Sequence, residues 1–251
     1  MIESKKYSTV MSTLLKEGTS GEFKIRKTTV PTGTILQTYD SKHGRLYKDV
    51  LLGDFPTVVL SQKDDTWMSD TPLEQESSKP AVVNARGDVL ICGLGIGLVP
   101  TLIKDKPEIK SIDIVEISLN VVKLVWQRIK SPKMRLIHGV AWKYLAKCEE
   151  KYDFIHIDIW GSITAPIMEV KKARDLAKRC LKPNGQIRCW MEELYFRVVN
   201  ALPKQPMHST QPAGFHDPCL ICGKTWRNDY AGLCMDCSDC LGLSELFIGK
   251  E

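Results

Sequence analysis

The stretch Gly87-Asp88-Val89-Leu90-Ile91-Cys92-Gly93-Leu94-Gly95-Ile96-Gly97 is the most informative part of this chain. Residues 88–92 have the composition of a short buried strand, and residues 96–104 are compatible with a helix because Pro100 falls in its first turn. Three alternate glycines connect the two, and glycine lets a backbone turn tightly and approach a ligand closely. The stretch therefore predicts a strand, a glycine-rich loop and a helix, in that order.

The residues that follow continue the alternation of strand and helix. Apolar runs predict strands at residues 111–115, 134–137, 154–157 and 186–190. Helical patterns occupy residues 118–129, 142–148, 165–181 and 192–202, and Ser118 has a side chain suited to cap the first of these. Pro183-Asn184-Gly185 predicts a turn. The alternation predicts an α/β fold with a Rossmann-like parallel sheet and helices on both faces.

The residues before and after this region differ from it. Residues 1–80 are a strand-rich N-terminal region, with strands predicted at 34–39 and 49–60, a hairpin turn at 42–45 and a short helix within 7–16. Residues 203–215 hold three prolines and no apolar periodicity, which is typical of a linker. We therefore divide the chain into an N-terminal β-hairpin region (1–80), a sheet domain (81–202), the linker, and a small cysteine-rich module (216–251).

The composition of the 251-residue chain excludes some classes of protein. With 43% hydrophobic and 26% charged residues it matches an ordinary globular protein, which excludes disorder throughout. Its longest apolar stretch, residues 89–103, is too short and too rich in glycine to span a bilayer. The first ten residues, MIESKKYSTV, lack the apolar run of a signal peptide, so we expect a cytoplasmic location.

An acidic residue follows the glycine-rich loop at the distance expected of a nucleoside site. Glu116 ends the predicted strand 111–115, 19 residues after Gly97. A carboxylate at that place in a parallel sheet can accept hydrogen bonds from both hydroxyls of a ribose. Dinucleotide sites have the pattern G-x-G-x-x-G, whereas the third glycine here comes one residue earlier, so another adenosine compound is the other candidate ligand. The alternative to both is a glycine turn required only for packing, with a surface glutamate.

The G-x-G-x-G pattern followed by Glu116 resembles motif I and the ribose-binding acid of class I S-adenosylmethionine-dependent methyltransferases. The segments 64–70, 115–117, 138–141 and 152–158 follow one another as in the spermidine synthase-like branch, which has an N-terminal β-hairpin region. This resemblance covers about residues 30–200 and implies S-adenosylmethionine as cosubstrate. It also implies cofactor contacts from the residues that match the family motifs: Gly93, Gly95, Gly97, Glu116, Ile117, Val140, Ala141 and Asp158.

Three departures bear on the reaction that the resemblance implies. Polyamine synthases have an acid in the glycine loop, Gly-Asp-Ala where this chain has Gly139-Val140-Ala141, and Asp-x-x-Asp-Pro where residues 158–162 are Asp-Ile-Trp-Gly-Ser. An amine substrate is cationic and must lose a proton before it attacks, so the missing acids disfavour aminopropyl transfer. We therefore expect a methyltransferase with an unidentified acceptor. Aminopropyl transfer and a non-catalytic S-adenosylmethionine-binding or zinc-bearing interaction protein remain the alternatives.

Asp158 is the strongest catalytic candidate, because it ends a strand beside the expected ligand crevice. It could orient the acceptor or take its proton, and the alternative is a helix N-cap or a contact to the sulfonium. Trp142 and Trp160 are candidates either for an aromatic wall or for the core. His156 lies in an apolar strand and is interpreted as a satisfied core residue. Asp70 is predicted to belong to a segment near the cofactor, and the alternative is that it caps the N-terminus of a helix.

The tail contains two CxxC pairs with the spacing of a metal site. Eleven residues separate the pairs, and their four thiolates suit a structural zinc in tetrahedral geometry: Cys219, Cys222, Cys234 and Cys237. Cys240 is an alternative ligand, and an iron–sulfur cluster is the alternative to zinc.

Charge limits the partners that we expect. The net charge of +5 divides into −3 for residues 216–251 and +8 for the rest, so the module is poorly suited to phosphate contacts. Protein contact, a lid over the substrate site or intramolecular stabilisation is favoured for it. The expected acceptor is a small molecule or a protein; nucleic acid is not favoured, and no membrane contact is expected. The resemblance implies a homodimer as a candidate assembly.

Overall fold

The structure is a computed structural model. It describes the backbone of residues 1–63, 65–160 and 165–201, and the side chains of the same residues except 165–168 and 197–201. The predicted linker 203–215 and the module 216–251, with all five tail cysteines, lie outside the described residues. In the part of the chain that is described, no helix is both long and apolar enough to cross a membrane.

The N-terminal region contains two small sheets. Its strands are β1 (Ile2–Glu3), β2 (Gly18–Ser20), β3 (Phe23–Val30), β4 (Ile35–Asp40), β5 (Arg45–Leu52), β6 (Phe55–Gln62) and β7 (Asp65–Ser69), with a short helix α1 (Met11–Leu14) before β2. The sheets have the orders β1-β5-β4 and β2-β3-β6-β7. The predicted turn at 42–45 lies where β4 connects to its antiparallel neighbour β5. The predicted continuous strand 49–60 is wrong, because Gly53 takes a left-handed backbone conformation (φ +86°) that separates β5 from β6.

A five-stranded parallel sheet occupies the rest of the described chain. Its strands are β8 (Gly87–Cys92), β9 (Ile109–Glu116), β10 (Met134–His138), β11 (Tyr152–Ile157) and β12 (Leu181–Cys189), in the order β10-β9-β8-β11-β12. The helices are α2 (Pro72–Asn84), α3 (Leu98–Ile103), α4 (Leu119–Ile129), α5 (Ala141–Lys147), α6 (Ala165–Ala177) and α7 (Glu192–Ala201). The predicted α/β fold with a parallel sheet is confirmed.

Two local predictions fare differently. The Ser118 hydroxyl caps α4 as predicted, accepting a hydrogen bond from the Val121 N–H at 3.3 Å. The helix predicted over 165–181 ends earlier, at a 3₁₀ turn over Lys178–Cys180. The predicted turn at 183–185 therefore does not follow a helix but bulges out of β12, between Leu181 and Gln186, which pair with nearby residues of β11.

Apolar side chains cover both faces of the parallel sheet. Val89 packs in a cluster that also contains Ile25 of β3 and Leu60 of β6. Its neighbour Leu90 packs in a second cluster, on the opposite face, together with Ala173 of α6. Successive residues of a strand point to opposite faces, so β8 is buried on both sides. Strands β3 and β6 therefore share a core with the parallel sheet.

Candidate active site

A cavity of about 220 Å³ opens at the carboxyl ends of β8, β9 and β11. The chain runs from β8 through β9 to β10 on one side of the sheet and then returns to β11 on the other side of β8. A crevice at such a reversal of strand order is the usual ligand site of an open parallel sheet. The walls come from the glycine-rich loop, the ends of β9 and β11, residues 139–142, β7 and the first turn of α2.

The first two glycines of the loop line this cavity, and other atoms lie close to both of them. Gly93 has φ +99°, and a Cβ atom there would lie 1.9 Å from the Asp158 carbonyl oxygen. Gly95 has φ +51°, and its Cβ atom would lie 2.1 Å from the Met68 Sδ atom. No side chain fits against the Asp158 carbonyl oxygen, so the loop can approach the end of β11 only because residue 93 is glycine. At Gly95 the Met68 side chain could move aside, and it is the positive φ that favours glycine.

The third glycine has a different role. Gly97 does not line the cavity, although the sequence predicted a cofactor contact there. It precedes α3 with φ +79°, and a Cβ atom would lie 2.4 Å from the Ile129 Cδ1 atom of α4. Gly97 therefore allows α3 and α4 to pack closely, which is the role usually given to the last glycine of such loops.

Glu116 holds the glycine-rich loop against the end of β9. Its side chain is 7% exposed, and its Oε2 atom accepts a hydrogen bond from the Leu94 N–H at 2.8 Å. Its Oε1 atom accepts from the Ser118 N–H at 2.7 Å. Each carboxylate oxygen has a second lone pair, so Glu116 can also accept from a ligand hydroxyl. The other predicted contacts, Ile117, Val140 and Ala141, line the same cavity.

Asp158 lies at the end of β11, where its backbone N–H donates to the Cys92 carbonyl at 2.9 Å. Its carboxyl group lines the cavity, and burial raises its pKa to about 7. A second carboxyl group, from Glu74 on α2, lines the cavity too. Burial and the negative charge of Asp158 raise the pKa of Glu74 to about 8, and the nearby Trp190 indole offsets this only in part. The cavity thus holds two carboxyl groups with raised pKa values.

Sequence reasoning missed Glu74. It falls in the first helical turn after Pro72, a place where acidic residues are common for reasons of helix stability alone. The available signal was weak: the acid follows the segment 64–70, which the resemblance had placed near the cofactor.

Only one of the two ring nitrogens of His156 has a hydrogen-bond partner among the described atoms, although the sequence predicted that both would have one. It is 2% exposed, and its Nδ1 atom lies 3.3 Å from the Arg188 carbonyl oxygen. Among the described atoms, its Nε2 atom has no hydrogen-bond partner, and the side chain lines the cavity. Burial lowers the pKa of His156 to about 4, so the ring is neutral at physiological pH.

Four tryptophans line the cavity: Trp67, Trp142, Trp160 and Trp190. The sequence had proposed an aromatic wall only for the second and third. The Trp160 indole N–H donates to the Glu169 carboxylate at 2.8 Å, and the Trp190 indole N–H donates to the Ser77 hydroxyl at 2.8 Å. These bonds fix the orientation of both rings at the cavity wall.

Asp70 lies away from the cavity. It is 1% exposed and accepts hydrogen bonds from the Thr57 hydroxyl at 2.6 Å and the Val58 N–H at 2.9 Å, both on β6. The Thr9 hydroxyl donates to its second oxygen. Thr71, not Asp70, occupies the N-cap position of α2. Asp70 therefore joins the N-terminal segment to β6.

The described residues contain no group of three or more His, Cys, Asp or Glu side chains arranged to hold a metal ion. The predicted zinc ligands all belong to the tail, beyond the part of the chain that is described.

Comparison with known proteins gives similarity of structure only. No family model matches the chain, and no curated protein matches its sequence. Among solved structures, human methyltransferase-like protein 13 in complex with SAH is 23% identical, with a TM-score of 0.35, over 43% of this chain and 55% of that one. Spermidine synthase from Thermotoga maritima is 14% identical, with a TM-score of 0.45, over 68% of this chain and 71% of that one.

A third similar structure is the N-methyltransferase NodS from Bradyrhizobium japonicum WM9. It is 17% identical, with a TM-score of 0.35, over 45% of this chain and 61% of that one. The chain thus spans less than two thirds of both NodS and the human protein. The residues of the cavity, rather than these similarities, carry the functional proposal that follows.

Proposed function

We propose that this chain binds S-adenosylmethionine in the cavity and transfers its methyl group to an acceptor. The observation that carries this is the buried Glu116 carboxylate, hydrogen-bonded to the glycine-rich loop at the carboxyl end of the parallel sheet. A carboxylate there suits the two hydroxyls of a ribose. The wall formed by Gly93 and Gly95 suits the amino-acid part of the donor, and Val140 and Ala141 provide apolar surface for an adenine ring.

Asp158 is the residue best placed to act on the acceptor. A sulfonium supplies an already activated methyl group, so the protein mainly has to align the acceptor with it. Asp158 approaches the glycine-rich loop closely, and its carboxyl group lines the cavity. Because burial raises the pKa of Asp158 to about 7, its carboxylate takes up a proton more readily than an exposed aspartate does. It is therefore suited to orient a protonated acceptor and to accept its proton.

Aminopropyl transfer is the second candidate, and one observation favours it. Glu74 brings a further acid into the cavity, and no described lysine or arginine lines it to pair with the carboxylate of S-adenosylmethionine. The decarboxylated donor lacks that carboxylate. Against this stands Val140, which occupies the position where polyamine synthases have an acid.

Calorimetric titration of the purified protein separates these functions. We expect S-adenosylmethionine and S-adenosylhomocysteine to bind at least about tenfold more tightly than decarboxylated S-adenosylmethionine, a difference of ~1.4 kcal/mol. Preference for the decarboxylated donor would support aminopropyl transfer instead. No binding of any of the three would contradict both functions and favour a non-catalytic interaction protein.

A matched pair of variants tests the ribose contact. Glu116→Ala removes a buried carboxylate that lines the cavity, and we expect the affinity for S-adenosylhomocysteine to fall by roughly tenfold to a hundredfold. Glu108→Ala removes a half-exposed carboxylate at the opposite end of β9 and should leave the affinity unchanged. Equal affinities for the two variants would remove Glu116 from the nucleoside site.

The same proposal includes a structural zinc in the tail, held by Cys219, Cys222, Cys234 and Cys237, with Cys240 as the alternative ligand. Metal analysis of the purified chain should find one zinc per molecule, and Cys222→Ser should lower that content. Iron with the absorption of a cluster would contradict zinc.

The remaining parts of the proposal concern partners and location. A small molecule or a protein is proposed as acceptor, and a homodimer as assembly, which sedimentation would test. A cytoplasmic location is proposed because Cys92, Cys148, Cys180 and Cys189 are all free and buried, as is usual in reducing compartments.

A further inference from the structure

The charge of the cavity wall is one-sided. Its ionisable side chains are Glu74, Glu116, His156 and Asp158, and no described lysine or arginine lines it. Both oxygens of Glu116 are engaged by backbone N–H groups. Glu74 and Asp158, in contrast, form no ion pair with any described residue. Both residues are half-buried. Carboxylates withdrawn from water are normally paired with a cation, so this part of the cavity is suited to a positively charged ligand.

His156 independently indicates a ligand at this place. The Arg188 carbonyl can only accept a hydrogen bond, so the Nδ1 atom that faces it carries the proton of the neutral ring. The Nε2 atom is then an acceptor. It is buried, lines the cavity and has no partner among the described atoms. A buried acceptor without a donor is rare in proteins, and a donor from a ligand would satisfy it.

The aromatic part of the wall fits the same kind of ligand. Trp160 and Trp190 are held by their indole N–H groups, which donate to Glu169 and Ser77. Both residues line the cavity, and the faces of indole rings attract cations. Acidic, aromatic and acceptor groups therefore meet in one cavity.

We infer that Glu74, Asp158 and His156 bind the protonated nitrogen of an amine, and that an amine is the methyl acceptor of this chain. The three side chains offer three acceptor groups, and a primary ammonium has three N–H donors. This inference rests on the proposed function, because it places the nitrogen beside the sulfonium donor. Glu74, on α2, also provides a further acid in the cavity. The segment 158–162 lacks the second aspartate that polyamine synthases have there.

Proton transfer to Asp158 comes before transfer of the methyl group. The bound ammonium gives one proton to the Asp158 carboxylate, which frees the nitrogen lone pair. That lone pair forms the bond to the methyl carbon, the carbon–sulfur bond breaks, and its electron pair stays on sulfur as a neutral thioether. The product is a methylated ammonium, and Asp158 returns its proton to water when the product leaves. The raised pKa values of Asp158 and Glu74 favour this proton uptake near neutral pH.

The test uses the whole 251-residue chain saturated with S-adenosylhomocysteine. Phenethylamine and 1,4-diaminobutane are titrated into it, each beside its matched alcohol, 2-phenylethanol or 1,4-butanediol. We expect the amines to bind at least about tenfold more tightly than the alcohols. An ammonium group forms charged hydrogen bonds with the carboxylates, whereas a hydroxyl group forms weaker ones in which only the carboxylate is charged. The preference should grow from about pH 6 to about pH 9 as Asp158 and Glu74 ionise, since the pKa of His156 keeps that ring neutral throughout.

Two variants on the same helix identify the residue responsible. Glu74→Gln should lower amine affinity about tenfold and leave the affinity for S-adenosylhomocysteine unchanged, which also shows that the variant is folded. Glu76→Gln, two residues away and outside the cavity wall, should change neither.

Two results would overturn the inference, and a third would overturn the proposed function on which it rests. Amines that bind no better than their alcohols, while S-adenosylhomocysteine binds, would overturn it and leave the proposed function standing. A Glu74→Gln variant that weakens S-adenosylhomocysteine as much as the amines would assign Glu74 to the donor and also overturn it. Failure of S-adenosylhomocysteine to bind the unaltered protein would instead contradict the proposed function itself.

Discussion

At the scale of single residues, the cavity depends on two glycines that have no side chain and on two carboxyl groups that have no cationic partner among the described residues. Gly93 and Gly95 have no Cβ atom, and this lets the loop lie against Asp158 and Met68. Glu74 and Asp158, in turn, have no cationic partner among the described residues. Carboxyl groups without a cationic partner cost stability in the ligand-free protein, and such local costs are common at functional sites.

Replacement of Gly93 separates steric clash from backbone strain. Gly93→Ala forces a Cβ atom against the Asp158 carbonyl oxygen at a positive φ, so we expect a loss of ~3 kcal/mol or more in the free energy of unfolding, together with loss of donor binding. Gly33→Ala has a similar φ of +85° but no atom within 4 Å of the new Cβ, and should cost ~1 kcal/mol. Urea unfolding measures both, and equal losses would contradict the importance of the close approach.

The carboxyl group of Asp158 should make stability depend on pH. Its pKa is about 7 in the folded protein, above the 3.8 of an ordinary aspartate, so the unfolded chain binds fewer protons between these values. Stability contributed by the protonated group is complete below about pH 4 and is lost as the pH rises toward 7. Asp158→Asn should therefore gain stability relative to the unaltered protein between about pH 5 and 8, on the order of 2 kcal/mol.

A surface aspartate provides the control for this prediction. Lys171 and Lys178 lower the pKa of Asp175 to about 2, so its stabilising effect is lost only as the pH falls below about 4. Asp175→Asn should thus show a constant difference in stability between about pH 5 and 8. If Asp158→Asn also showed a constant difference, the carboxyl group of Asp158 would not be protonated in the folded protein at the lower pH.

At the scale of elements, the cavity is assembled from segments far apart in the chain. Strand β7 contributes Trp67 and Met68, and α2, which follows it, contributes Glu74. Asp70 lies between these elements and ties their connection to β6 through Thr57 and Val58. Asp70 therefore helps to position α2 without touching the cavity.

Removal of the Asp70 carboxylate tests this connection. Asp70→Ala leaves the Val58 N–H and the Thr57 hydroxyl buried without their acceptor, so we expect a loss of roughly 2–4 kcal/mol in the free energy of unfolding. Asp54→Ala, which removes an exposed acceptor for the Thr32 N–H and hydroxyl, should cost much less stability, because water replaces the lost acceptor. A loss for Asp70→Ala no greater than that for Asp54→Ala would show that the connection is not important for stability.

At the scale of the whole molecule, the N-terminal strands are not an independent unit. Leu60 of β6 and Ile91 of β8 are buried in one apolar cluster, and α2 carries the chain from one sheet to the other across the predicted boundary at residue 80. Because the two regions share a core, they should lose their structure together.

A core substitution tests this shared stability. Leu60→Ala should lower the free energy of unfolding by roughly 2–5 kcal/mol and shift a single transition, with loss of donor binding at the same urea concentration. Val83→Ala, at an exposed position of α2, should shift it by less than about 0.5 kcal/mol. Two separate transitions, of which Leu60→Ala moves only one, would contradict a common core.

The sequence by itself determined the architecture, because that depends on patterns local in the chain. The periodicity of residues 87–202 predicted the parallel sheet, and Gly93, Gly95 and Glu116 predicted the end of the sheet at which the cavity opens. Local patterns were less reliable at Gly53 and near residue 183, where the backbone conformation depends on pairing with distant strands.

Only the tertiary structure decided the chemistry of the acceptor end. Glu74 and Asp158 are 84 residues apart, so nothing in the spacing of the sequence brings their carboxyl groups together. The orphaned Nε2 atom of His156 was equally hidden, because an apolar strand predicts burial but not which polar atoms lack partners. Proximity and desolvation change the proton affinity of a carboxyl group, and both are properties of the folded chain.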